Sequence, residues 1–236
     1  MVKKIFPVEK TSGKTKEKRE RILIGTPALD GRVDAWYCFA LHEIGKQALK
    51  QNIDVEILML SYESILPMAR NKILTAAIEG GFDAMVFIDS DVYCPPEAFI
   101  KAVKTKKDVL AIPTVKKSDQ ESYDIYLDQV PAEKELLKAL RVSTSCLKIS
   151  KKALSALSDN STQTVFRGDV LKNICQYDFV GEHFMGEDIY LCDKLTSLGF
   201  EIWVDPTYTC MHIGPKVYMG DFKALVNNVN QSQASG

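Results

Sequence analysis

The chain has no stretch of about 18 consecutive apolar residues, so no membrane-spanning helix is expected within its 236 residues. Its basic N-terminal residues are not followed by the apolar segment that a secretory signal needs. Cysteine is sparse. The six present (Cys38, Cys94, Cys146, Cys175, Cys192 and Cys210) lie far apart and form no CxxC pair. That spacing is foreign to the disulfide frameworks of small secreted domains, and a reducing cytoplasmic location is expected. A charge surplus is missing too: the net value of -1 gives the chain no general drive toward nucleic acid or anionic membrane. No internal repeat is visible.

Hydrophobic residues make up 46% and charged residues 26%, as in ordinary globular chains, and the length suits one α/β domain. Charge is unevenly spread, with eight Lys or Arg against three Glu in residues 1–21. Residues 1–20 are therefore expected to be a basic flexible tail, 21–227 a single domain, and the polar end at 228–236 disordered.

Regular patterning begins at "RILIG", a buried strand closed by Gly25 and Pro27, and "DAWYCFALHEIGKQALK" follows with apolar residues at helical spacing. "IDVEILML" reads as a second strand. "LPMARNKILTAAIEGG" has Pro in its first turn and a Gly pair at its end, the punctuation of a helix. "FDAMVFI", "PPEAFIKAVKT" and "DVLAIPTV" continue the alternation as strand, helix, strand. That alternation predicts an α/β fold with a mostly parallel central sheet and helices on both faces. Later, "RVSTSCLKIS" reads as a strand, residues 158–186 as a loop or small subregion, and "GEDIYLCDKLTSLGF" as a helix ending at Gly199. "EIWVDP" and "TYTCMHIG" complete the pattern as two short strands.

The stretch "MVFIDSDVYCPP" places Asp89 and Asp91 directly after an apolar run. In an extended segment, residues i and i+2 point to one face, so the two carboxylates are expected to share a cation or ligand. Open parallel sheets bind ligands beyond the carboxyl ends of their strands, and hard oxygen donors suit Mg²⁺ or Mn²⁺. The competing explanation is structural, since Asp is common in turns before Pro.

"FIDSDVYCPPEAF", "GEDIYLCDKLTSLGFEIWVDP" and "CMHIG", in that order, resemble the nucleotide-sugar-dependent glycosyltransferases of the GT-A (Rossmann-like) fold, family 2-like, as found in bacteria, bacteriophages and large DNA viruses. The resemblance runs from about Arg21 to Gly220. It implies that "DSD" is the DxD motif, with Asp91 a direct ligand of Mn²⁺ or Mg²⁺ on the donor diphosphate. Asp89 would then contact the ribose or reach the metal through water, and His212 would complete the metal shell. It further implies Asp188 as the general base on the acceptor hydroxyl, Glu187 orienting the acceptor, and Thr26, Pro27, Arg70 and Asn71 near the nucleotide. Lys116 and Lys117, after "AIPTV", are candidates to meet phosphate or are solvated charges at a strand end, and His183 is a candidate for the acceptor side; His42 is an ordinary residue.

One departure stands out: "STSC" at Ser143–Cys146 replaces a Gly-containing turn. The function so implied is sugar transfer from a nucleotide-sugar, most often a UDP-sugar, with inversion. The acceptor is a glycan, a protein side chain or a modified DNA base, and only the basic tail favours nucleic acid. The alternatives are a sugar nucleotidyltransferase, whose Gly-rich basic loop "GTPALDGRVD" fits poorly, and a non-catalytic nucleotide-sugar-binding module.

Overall fold

A computed structural model describes residues 19–128 and 135–234. In chain order its elements begin with β1 (Glu20–Ala28), α1 (Ala35–Lys50), β2 (Ile53–Ser61), α2 (Leu66–Glu79), β3 (Ala84–Ile88) and β4 (Val92–Tyr93). Next come α3 (Pro96–Lys104), β5 (Val109–Ala111), β6 (Ile125–Leu127), β7 (Leu137–Val142), β8 (Cys146–Ser150) and α4 (Lys151–Asp159). Two hairpins follow, β9 (Gln163–Phe166) with β10 (Asp169–Lys172) and β11 (Asp178–Val180) with β12 (His183–Met185). The chain closes with α5 (Glu187–Ser197), β13 (Ile202–Val204), β14 (Met211–Ile213), β15 (Val217–Tyr218) and α6 (Phe222–Ala234).

The central sheet has eight strands in the order β2-β1-β3-β8-β5-β13-β7-β6. Followed pair by pair, six of them share one direction and β7 and β8 run against it, so the sheet is mostly parallel. Side chains alternate across it, as strand geometry requires. Ile22 and Ile24 of β1 and Val86 and Ile88 of β3 face a core made with Tyr37 and Ile44 of α1 and Phe99 of α3. Leu23, Met85 and Phe87 face the opposite way, onto Ile73 and Leu74 of α2, Leu154 of α4 and Leu191 of α5. Helices thus cover both faces, and no described helix is long and apolar enough to cross a membrane.

Several boundaries differ from the sequence reading for physical reasons. β1 runs through Gly25 and Pro27 to Ala28 because β2 pairs with it along its whole length. β5 stops at Ala111, and Pro113, which has no N–H to give a ladder, follows shortly after. β14 leaves the main sheet and joins β4 and β15 in a separate three-stranded sheet. The tail expected at 228–236 is helical through Ala234, since Phe222 and Val226, one turn apart, anchor α6 to the core. Of the basic tail at 1–20, residues 1–18 lie outside the described residues, and Glu20 opens β1.

At Gly25 the side chain of Ile73 from α2 presses on β1: a Cβ there would collide with the Cγ2 of Ile73. Gly25→Ala is therefore expected to destabilise the fold by about 1–3 kcal/mol through overpacking. Adding Ile73→Ala should recover part of that loss, measured by chemical denaturation; simple additivity of the two changes would refute the contact.

Candidate active site

β3 ends at Ile88 and the chain turns at once. The Asp89 N–H donates to the Ser145 carbonyl (3.0 Å), Val92 N–H to the Asp89 carbonyl (3.0 Å) and Ile213 N–H to the Asp91 carbonyl (2.8 Å). This pinned turn separates the two acids, which corrects the expectation of a shared face: residues 89–91 are not extended. Asp89 meets Arg70, whose Nη2 lies 3.1 Å from Oδ1 and 3.4 Å from Oδ2. Asp91 meets Lys117 Nζ at 2.5 Å and His212 Nε2 at 3.4 Å. Burial pushes the Asp91 carboxyl up, but hydrogen bonds from His212 and Lys117 outweigh it and hold it down at about 2.

A cleft of about 290 Å³ opens where β3 and β5 end and β8 begins. Arg70, Asp89, Lys116, Lys117, Glu187, Asp188 and His212 all line it, so seven residues singled out in the sequence converge there. Ser143, Thr144 and Ser145, the departure noted above, form another part of the wall. Asp124, which stands in no recognisable motif, lines it too and holds Lys116 at 2.7 Å. His212 Nδ1 is 3.0 Å from the Val115 carbonyl, which can only accept, so Nδ1 carries a proton, and Nε2 faces Asp91, to which it donates when the ring holds a second proton.

Other assignments move. Thr26 is fully buried: its hydroxyl lies 2.6 Å from the Tyr37 hydroxyl and donates to the Ile88 carbonyl at 2.8 Å, so it braces β1 and cannot reach a nucleotide. Pro27, partly exposed near the end of β1, is not among the residues that line the cleft. Asn71 is buried and grips the backbone of another segment, accepting from Ile174 N–H (3.0 Å) and Cys175 N–H (2.7 Å) and donating to the Cys175 carbonyl (2.8 Å). Glu187 is buried against Arg70 Nε at 3.3 Å rather than free to orient an acceptor. Burial raises its pKa; Arg70 works against that rise and Asp188 adds to it.

Asp188 is half-buried and makes no ion pair among the described residues; its Oδ1 accepts from Ile189 N–H at 2.8 Å. His183 is exposed on β12, and His42 is exposed on α1 beside Glu43.

Arg70 carries the arrangement. It is 2% exposed, stacks over the Phe87 ring at 4.8 Å, and binds Asp89 and Glu187 at once. Its Nη1 has no hydrogen-bond partner among the described residues.

No protein-family model and no curated protein matches the chain. Among solved structures, A197 from STIV is similar over 82% of this chain and 86% of its own, with a TM-score of 0.52 at 15% identity. Apo UDP-glucose pyrophosphorylase aligns over 92% of this chain and all of its own, with a TM-score of 0.45 at 10% identity. A glycosyltransferase involved in the glycosylation of the major capsid of PBCV-1 aligns over 57% of this chain and 61% of its own, with a TM-score of 0.35 at 14% identity. The likeness to A197 is one of fold, and the two looser alignments carry nothing further.

Removing the buried cation strands two carboxylates. Arg70→Met is expected to cost about 3–5 kcal/mol of stability, as breaking a buried ion pair does. Adding Asp89→Asn and Glu187→Gln should restore most of it in denaturant melts. Full stability of the single variant would show that the pairs hold nothing together.

Proposed function

We propose that the chain is a metal-dependent glycosyltransferase that moves a sugar from a nucleotide-sugar, a UDP-sugar by preference, to an acceptor hydroxyl with inversion. The observation that carries this reading is one cleft lined by Lys117 and His212, both paired with Asp91, which is outside the lining itself, and by Asp188, a carboxylate that makes no ion pair among the described residues. Two electron-pair donors facing each other, Asp91 Oδ1 and His212 Nε2, need a proton or a cation between them, and O,N donors of this kind suit Mn²⁺ or Mg²⁺. Asp89 does not join them as a third ligand, because both of its oxygens face Arg70.

A cation held by Asp91 and His212 would neutralise charge on the departing diphosphate. Lys117, close enough to pair with Asp91, is placed to turn toward phosphate oxygens. Asp188 takes the proton as the acceptor oxygen forms its bond to the anomeric carbon, and the bond to the nucleoside diphosphate breaks with its electron pair leaving on oxygen. Arg70 and Glu187 hold the carboxylates in place without taking part in bond changes. The Ser143–Ser145 hydroxyls, in the same wall, are candidates to meet the sugar.

Incubation with labelled UDP-sugars and Mn²⁺ tests the class. Slow donor hydrolysis marks a transferase, pyrophosphate-dependent exchange a nucleotidyltransferase, and neither a binding module. Asp188→Asn is expected to cut transfer by roughly a hundredfold or more while donor binding stays near wild type; unchanged transfer would remove Asp188 from the role.

His212→Ala should raise the Mn²⁺ concentration for half-maximal activity with little change in melting temperature. A normal metal dependence with a large melting loss would make the imidazole purely structural.

A further inference from the structure

Three of the six cysteines meet inside the protein. The sulfurs of Cys94, Cys146 and Cys210 all lie within 4.8 Å of one another, and each residue is buried. They come from three separate segments: Cys94 follows β4, Cys146 opens β8, and Cys210 precedes β14. Buried cysteine is usually a small apolar residue. Cys175 and Cys192 behave that way, equally buried yet joining no such group among the described residues.

Three features set the trio apart. An ion bound to three sulfurs at about 2.3 Å in a plane places them about 4.0 Å apart, so sulfurs within 4.8 Å of one another need contract by no more than about 0.8 Å. Thr114, 8% exposed and bridged to Cys210 across the backbone, has a buried hydroxyl with no hydrogen-bond partner among the described residues. Cys94 also stands just before the N-terminus of α3, where the helix dipole favours negative charge.

We propose that Cys94, Cys146 and Cys210 form a second metal site behind the cleft, taking one thiolate-preferring divalent cation of the Zn²⁺ and Cd²⁺ class, with the Thr114 hydroxyl at its open side. Binding exchanges three S–H protons, released to solvent, for three metal–sulfur bonds and involves no oxidation. Soft thiolates select such ions over Mg²⁺ and Mn²⁺, so this site and the oxygen-rich cleft sort different metals.

Its place gives it a structural consequence. The segments it joins are those that carry Asp91, Ser143–Ser145 and His212, so the ion would lock the walls of the cleft to one another without entering it.

The test uses the whole chain, reduced and stripped of metal, in excess Mg²⁺ so that oxygen sites are occupied. Titrated Cd²⁺ is expected to raise a sulfur-to-metal charge-transfer band in the ultraviolet that saturates at one ion per chain. The band should be lost in Cys94→Ser and in Cys146→Ser and kept in the exposed-cysteine control Cys38→Ser. Should the serine variants fail to fold, zinc K-edge absorption on the unmutated protein decides, with three sulfurs at about 2.3 Å expected. No saturable band, a band that survives Cys94→Ser, or a shell of nitrogen and oxygen alone would overturn the site.

Discussion

The buried guanidinium of Arg70 is the constraint on which the rest of the cleft depends. Taking a cation and two carboxylates out of water costs several kcal/mol per ion, and only close pairing and hydrogen bonding offset it. The pairing joins parts of the chain that are far apart in sequence: α2 supplies the cation, the end of β3 supplies Asp89, and the first residue of α5 supplies Glu187. Because Glu187 is held, the next residue, Asp188, is placed in the cleft by the start of its helix. Asn71, the neighbour of Arg70, clamps residues 174 and 175 ahead of the second hairpin. Two adjacent residues of one helix therefore fix both the acidic centre and the segment that leads into it.

That constraint also marks what the sequence could and could not tell. The helices punctuated by Pro67 and Gly80 and by Glu187 and Gly199 were legible, because local rules decide where such helices start and stop. The strand-helix alternation that predicts the sheet was legible for the same reason. The partners of each acid were not: Asp89 and Asp91 look equivalent in a string, yet a turn pinned by Ser145 and Ile213 sends one to Arg70 and the other to Lys117 and His212. Thr26 matched a motif, but the Tyr37 hydroxyl, eleven positions on, claims its side chain in the core. The three thiols carried no spacing signal at all, since only the sheet topology brings residues 94, 146 and 210 together.

The magnitudes of the ion pairs divide the cleft into a fixed half and an exchangeable half. Arg70 is 2% exposed, so its pairs with Asp89 and Glu187 cannot be swapped for water without a large penalty. Lys117 and Asp91 are each about one-third exposed, and pairs of that kind contribute about 0–1 kcal/mol. Lys116 and Asp124 are more exposed still. An incoming diphosphate with its cation, on the proposed reading, displaces Lys117 from Asp91 at little cost, while the acids gripped by Arg70 stay where they are. On the proposed reading, the half that must rearrange around the donor is held by weak pairs, and the half that positions Asp188 beside the acceptor is held by strong ones.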